Sequence, residues 1–182
     1  TWQDLLTITE ELISDLARTI IGDVRVPYGE HQIDLTPPWR RVAVKDAVAD
    51  ATGLTRAEVD DVTRLRDLAQ ARGIPLAADA PYGKVLAEVF KKTAEAALIQ
   101  PTFVIDYPVE ISPLARQSDD DPTLVDRFEL YVAGRELANG FSELNDPDEQ
   151  RARFETQLHA RRGGDEEAHA MDEDYVRALE HG

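Results

Sequence analysis

Three glutamates, Glu129, Glu136 and Glu143, follow one another at intervals of seven residues in the segment Arg127–Asp146, RFELYVAGRELANGFSELND. The rest of that segment is patterned as a β-hairpin. Carboxylates crowded on strands repel, and one of them takes up a proton unless a positive charge sits between them. The chemistry that such a cluster suits is the holding of a cation, such as a divalent metal.

The spacing can be carried through to geometry. Arg127–Val132 reads as a short strand, Ala133-Gly134 as a two-residue turn, and Arg135–Ala138 as the returning strand. Glycine accepts the positive φ that tight hairpins require. This register sets Val132 against Arg135, Tyr131 against Glu136 and Leu130 against Leu137. Alternation then places Glu129 on the face of Tyr131, and so of Glu136. The two carboxylates lie diagonally, at roughly 7–8 Å between backbone positions, within reach of one divalent ion. Glu143 lies an odd number of residues beyond Glu136, so strict alternation sends it to the other face. An extra residue at Asn139-Gly140 restores it, because a bulge re-aims everything after it and glycine in a strand often marks one. An edge hairpin with a solvated acidic face fits the same spacing, and the pattern alone leaves both readings open.

Composition narrows the classes. The chain has 182 residues, an ordinary apolar share of 42% and a net charge of −16. That is enough for one domain with a core. The acidic balance argues against this chain alone gripping a nucleic-acid backbone, which takes clustered Lys and Arg. There are no cysteines, so disulfides and thiolate metal sites are excluded. The beginning, TWQDLLTITEEL, lacks the basic and apolar regions of a signal peptide, and no run is long enough to span a bilayer. The single methionine is Met171 and residue 1 is Thr. The chain therefore reads as a piece of a longer protein or as a processed one.

The elements that must carry the hairpin can be placed. Asp4–Ile21 is an amphipathic helix whose stripe Leu5, Ile8, Leu12, Leu16 and Ile20 is expected to face the core, with Gly22 ending it. Val24–Leu35 is expected to form a hairpin about Gly29-Glu30, and Trp39–Val44 a short strand. A helix begins at Lys45. Leu54–Ala97 is mostly helical, with a capping box at Thr55 and Glu58, a stop at Gly73 and a second helix over Tyr82–Ile99. The Lys91-Lys92 pair reads as an exposed helix face. Pro101–Ile111 is a strand buried on both faces. Asp146 is an N-cap with Pro147 at the first helical position, for a helix running to about Arg161 and ended by Gly163-Gly164. Asp172–His181 is a last helix, with Tyr175, Val176 and Leu179 inward. Helices around antiparallel strands, without regular βαβ alternation, give an α+β fold. The four histidines, His31, His159, His169 and His181, are scattered and read as surface residues. No phosphate-binding glycine loop and no HExxH occurs.

The segments PTFVIDYPVEISPLAR, RFELYVAGRELANGFSELND and DEDYVRALEHG, with TEELISDLARTI, VPYGEHQIDL and WRRVAVKDAV before them, resemble the class II lysyl-tRNA synthetases in order along nearly the whole chain. GRELANGFSELND is the most specific part. The resemblance implies a partial class II catalytic core over residues 1–182, an antiparallel sheet flanked by helices, with residues 45–99 as a helical insertion. It implies that Glu129 and Glu136 hold Mg²⁺ against ATP phosphates, and that Asn139, Phe141 and Glu143 line the lysine pocket, Glu143 pairing with the ammonium. No side chain is assigned to acid–base catalysis, because lysine attack on the α-phosphate depends on holding two reactants in line. Arg116 and Arg135 are basic residues expected near the acidic site. The implied partners are lysine, ATP and tRNA(Lys), in a cytoplasmic homodimer with no membrane attachment. The motifs that hold ATP and form the dimer are expected outside these 182 residues. The segment alone is then expected to be inactive and prone to self-association. Two other readings share the resemblance: a paralogue that transfers lysine to elongation factor P or to lipid, and a non-catalytic binding module.

Overall fold

The structure, a computed structural model, describes residues 1–162 and 171–181. Helix α1 (Trp2–Leu16) continues through a wide turn, Ala17–Ile21, and stops at Gly22, whose φ of 83° only glycine adopts without strain. Strands β1 (Arg25–Tyr28) and β2 (His31–Asp34) form the expected hairpin as a separate two-stranded sheet. Strand β3 (Arg40–Ala43) leads into helices α2 (Val44–Thr52), α3 (Arg56–Asp60), α4 (Val62–Ala71) and α5 (Tyr82–Thr93). Strands β4 (Thr102–Pro108), β5 (Leu124–Val132) and β6 (Arg135–Phe141) follow, then helices α6 (Pro147–Arg162) and α7 (Glu173–Leu179). The main sheet has the order β3-β4-β5-β6. Helices plus these sheets make the fold α+β.

Several expectations change in detail. The pairing of β3 with β4 is parallel; the other two pairings are antiparallel. Parallel neighbours need a crossover connection of a dozen or more residues, and α2–α5 are that crossover. These helices share one core with the sheet, in which Val48, Val85, Leu86 and Val89 meet Val104, Val125 and Tyr131. The helix expected over 54–72 is broken at Asp61, which takes an extended conformation and caps α4 by accepting from the Thr63 N–H. The capping box of Thr55 and Glu58 is present. Helix α5 ends at Thr93 and a 3₁₀ turn, Glu95–Ala97, completes the segment. Asp146 caps α6 as expected, its Oδ1 accepting from Asp148 and Glu149 N–H groups at 2.9 and 3.0 Å. His31, His181, Lys91 and Lys92 are exposed, as read. His169, Gly163 and Gly164, and the side chain of His159, lie outside the described residues.

The largest correction concerns α1. Leu5, Ile8, Leu12, Leu16 and Ile20, expected in the core, are 42–75% exposed. The buried line is instead Leu6, Glu10, Ser14 and Ala17. Both lines have helical spacing, so periodicity alone cannot choose between them. Polar anchors choose: the Glu10 carboxylate accepts the Trp39 N–H at 2.8 Å and the Ser14 hydroxyl donates to the Leu35 carbonyl at 2.8 Å. These bonds turn the adjacent line onto the sheet, where Leu6 joins Trp39, Phe103, Phe128 and Leu130. Phe103 and Phe128 meet edge to face at 5.3 Å. Gly140 stands opposite Phe128, and a β-carbon there would lie 2.7 Å from the ring, so this strand position takes glycine for space.

Candidate functional site

The face of the sheet opposite α1 carries the acidic residues, and two irregularities gather them. The hairpin turn is as expected: Ala133 and Gly134 have φ of 54° and 69°, the pair of positive values that a tight hairpin needs. Val132 pairs with Arg135 and Tyr131 with Glu136, also as expected. The next pair is Leu130 with Ala138, so Leu137 is the extra residue, and it is 59% exposed. The bulge therefore lies at Leu137 and not at Asn139-Gly140, and the expected Leu130–Leu137 pair does not form. Its effect is the one anticipated: Glu129 pairs with Asn139 and Arg127 with Phe141, all on the face of Glu136. Alternation carries Glu143, bridged to Ala115, to the same side. The second irregularity is Asp106 in β4, with φ of 61° at a break in the β4–β5 register. It turns Tyr107 onto this face.

Glu129 is nearly buried, and neighbours take three of the roughly four acceptor positions of its carboxylate. Its Oε2 accepts the hydroxyls of Tyr107 at 2.7 Å and Tyr131 at 2.6 Å, and its Oε1 is paired with the Arg127 guanidinium. Burial, followed by the Glu129 carboxylate, holds both phenols above their usual range, so they remain donors. The Phe90 ring on α5 steadies Tyr131 edge to face at 5.5 Å. Glu136 is exposed, yet its carboxyl is raised above the usual range, by partial desolvation first and by the Glu129 charge next, with Arg127 acting in the opposite sense. Two carboxylates on one face, one of them held up by the other, form a site short of positive charge.

That crowding has a measurable sign. A carboxyl whose folded-state pKa exceeds its unfolded value, near 4.5, binds its proton more tightly when folded. Ionised Glu136 therefore destabilises the fold above the raised pKa. Acidification through that pKa relieves the penalty, which is gone below the unfolded value. Glu136→Gln is expected to raise thermal stability at neutral pH without added metal, and the gap should close on acidification. Melting curves recorded down through the carboxyl range test this; a gap of opposite sign, or one that ignores pH, would show that Glu136 is not crowded.

The other end of the site is looser. Phe141 is half-buried beside the core of α2–α5, while Asn139 and Glu143 are exposed. Helix α7 adds a residue from far along the chain: the Tyr175 hydroxyl donates to Glu143 Oε1 at 2.9 Å. Val176, the buried residue of α7, fixes the helix that carries Tyr175. The basic residues singled out from sequence do not serve the acidic face. Arg116 goes to Asp119 at 2.7 Å and Asp126 at 3.6 Å. Arg135 is exposed beside the turn, and strand alternation sets it on the face opposite Glu136. Sequence reasoning gave no role in the site to Arg127, Tyr107, Tyr131 or Tyr175, although it placed Tyr131 on this face and Tyr175 inward. Of these, Arg127 had a signal: it stands two residues before Glu129, on the same face of the same strand. Among the described residues no three His, Asp or Glu side chains are arranged to hold an ion by themselves.

A family model for class II tRNA synthetases specific for aspartate, lysine and asparagine (D, K and N) matches residues 1–182. The chain belongs to the class II tRNA synthetases. Within this synthetase family, it is 46% identical over its full length to a lysine–tRNA ligase of Bacillus subtilis (strain 168). It is 48% identical to one of Oceanobacillus iheyensis and 49% identical to one of Thermosynechococcus vestitus (strain NIES-2133 / IAM M-273 / BP-1). It spans only 36–37% of the length of these three relatives. The α+β core and its acidic face are thus a class II synthetase segment. Among the described residues no helix is long and apolar enough to cross a membrane.

Proposed function

We propose that this chain supplies the metal-binding carboxylates and part of the amino-acid pocket of a lysine–tRNA ligase, which joins lysine to ATP as lysyl-adenylate and then passes it to tRNA. The observation that carries the reading is the common face shared by Glu129, Glu136, Asn139 and Phe141, with Glu143 continuing it. Full-length similarity to lysine–tRNA ligases supports the choice of amino acid.

The donors present fit Mg²⁺. They are hard carboxylate oxygens, two in number, which matches an ion that takes one or two carboxylates and completes its shell with phosphate oxygens and water. Glu129 is held by its hydrogen bonds, whereas Glu136 is exposed and raised, so a cation arriving between them relieves the repulsion. When bound, the ion neutralises charge developing on the ATP phosphates. Glu143 offers its carboxylate to the lysine ammonium, a charge-assisted contact that a neutral amino acid of similar length does not make. Phe141 walls the methylene stem. Asn139 supplies polar contacts beside it.

The test is lysine-dependent ATP–pyrophosphate exchange by the whole protein, followed by charging of tRNA. Exchange that does not need lysine, or lysine transferred only to a protein or lipid acceptor, would overturn the assignment. The isolated 182-residue segment is expected to give no exchange. The same reading assigns the whole protein to the cytoplasm as a homodimer. The exposed apolar line on α1 suits association, so the segment's sedimentation coefficient should rise with concentration; an unchanging monomer would argue against it.

A further inference from the structure

The side chain that joins a proposed metal carboxylate to a residue of the proposed lysine pocket is Arg127. It is only 15% exposed. Its Nη2 pairs with Glu129 Oε1, and its Nε donates to Asn139 Oδ1 at 3.3 Å. Nη1 is anchored in the interior by the Ser112 hydroxyl at 2.7 Å and the Ile111 carbonyl at 3.3 Å. The guanidinium lies 4.8 Å from the centre of the Tyr107 ring, and that same tyrosine also donates to Glu129. Guanidinium groups only donate, so the Asn139 amide must turn its oxygen to Arg127 and its nitrogen away. That nitrogen is left free to face a carboxylate or a ligand. One connected chain thus runs from Tyr107 and Tyr131 through Glu129 and Arg127 to Asn139.

We propose that Arg127 is the positioning residue that couples the metal carboxylates to the lysine pocket. The inference rests on the lysine–tRNA ligase reading and deepens it. The planar fork holds Glu129 and Asn139 at a fixed separation, which a point charge on a flexible stem does not. With its oxygen committed to Arg127, Asn139 has its N–H groups to give. It therefore acts toward a ligand as a donor. Arg127 acts through Glu129 and Asn139, its partners in the site. Removing its fork should loosen both ends together.

The experiment uses the full-length protein carrying Arg127→Lys. Lysine binding is measured by equilibrium dialysis without ATP or metal. Metal binding is measured by Mn²⁺ electron paramagnetic resonance with a non-hydrolysable ATP analogue. The expected result is a fall of about tenfold in both affinities, beyond what the accompanying loss of melting temperature accounts for. Ser112→Ala, which removes an anchor of Arg127 away from both ligands, should shift both in the same direction by a few-fold. It serves as the measurement if the Arg127 variant does not fold. Combining Arg127→Lys with Asn139→Ala should weaken lysine binding no further than Asn139→Ala alone. A variant that melts earlier but binds both ligands normally, or that loses only one, overturns the coupling. Wild-type protein that fails to bind lysine would instead overturn the function on which it rests.

Discussion

Glu129→Gln in the whole protein is expected to lower lysine-dependent pyrophosphate exchange by about 10²–10³-fold, the usual consequence of removing one preorganised electrostatic group from a reacting site. The substitution keeps the shape and removes the charge, and the local geometry makes it costly in either orientation. Two phenols converge on Oε2 and a guanidinium on Oε1. An amide nitrogen at the Oε1 position sets donor against donor with Arg127; at the Oε2 position it meets two hydroxyls that need an acceptor. Breaking a buried ion pair costs about 3–5 kcal/mol, and side-chain exposures of 15% and 11% for Arg127 and Glu129 put this pair near the lower figure. The activity loss should be larger than the unfolding accounts for, and excess Mg²⁺ should recover part of it. Exchange at the parent rate, in a folded protein at ordinary Mg²⁺, would remove Glu129 from the metal site.

Glu143→Gln is expected to act elsewhere in the kinetics. A hydrogen bond to a charged group contributes about 1.5–3 kcal/mol, so the KM for lysine should rise by roughly 10–150-fold. The KM for ATP should stay close to its original value, because Glu143 lies at the far end of the face from the metal pair. Tyr175→Phe should move lysine KM in the same direction and by less. It deletes only the 2.9 Å donor that orients the carboxylate. Steady-state kinetics with each substrate varied in turn separate the two effects. An unchanged lysine KM in Glu143→Gln, or an equal rise for ATP, would take the ammonium away from Glu143.

The contrast between these two ends follows from how they are held. The metal end is built into the sheet: β4 and β5 contribute Tyr107, Arg127, Glu129 and Tyr131, locked by mutual hydrogen bonds and by Phe90. The lysine end hangs on the end of β6 and on a seven-residue helix. A site rigid at one end and open at the other suits a small flexible ligand that must be admitted before it is aligned.

Local rules made much of this legible in advance. The Ala133-Gly134 turn, the Thr55–Glu58 capping box and the Asp146 cap depend on a few adjacent residues, and each is present as read; the two-sided burial of the strand read over Pro101–Ile111 holds over Thr102–Pro108, where β4 ends and Val109–Ile111 turns into a 3₁₀ helix. The common face of Glu129 and Glu136 needed only the turn and the period of a strand. The bulge was required by parity, since Glu143 could not otherwise join the face. Its position was another matter. Gly140 looked like the bulged residue, but it is glycine to clear Phe128, a partner invisible until the strands are paired.

The sequence by itself determined which side chains share a strand face and how the chain punctuates its helices, because these follow from φ preferences and short periodicities. Only tertiary structure decided which line of α1 meets the sheet, that β3 runs parallel to β4, and that Arg127 joins Glu129 to Asn139. Each of these is set by long-range bonds: Glu10 to Trp39, Val42 beside Val104, and a guanidinium spanning two strands. Contacts between residues distant along the chain are chosen by packing and polar satisfaction across elements, and neither leaves a periodic trace in one segment.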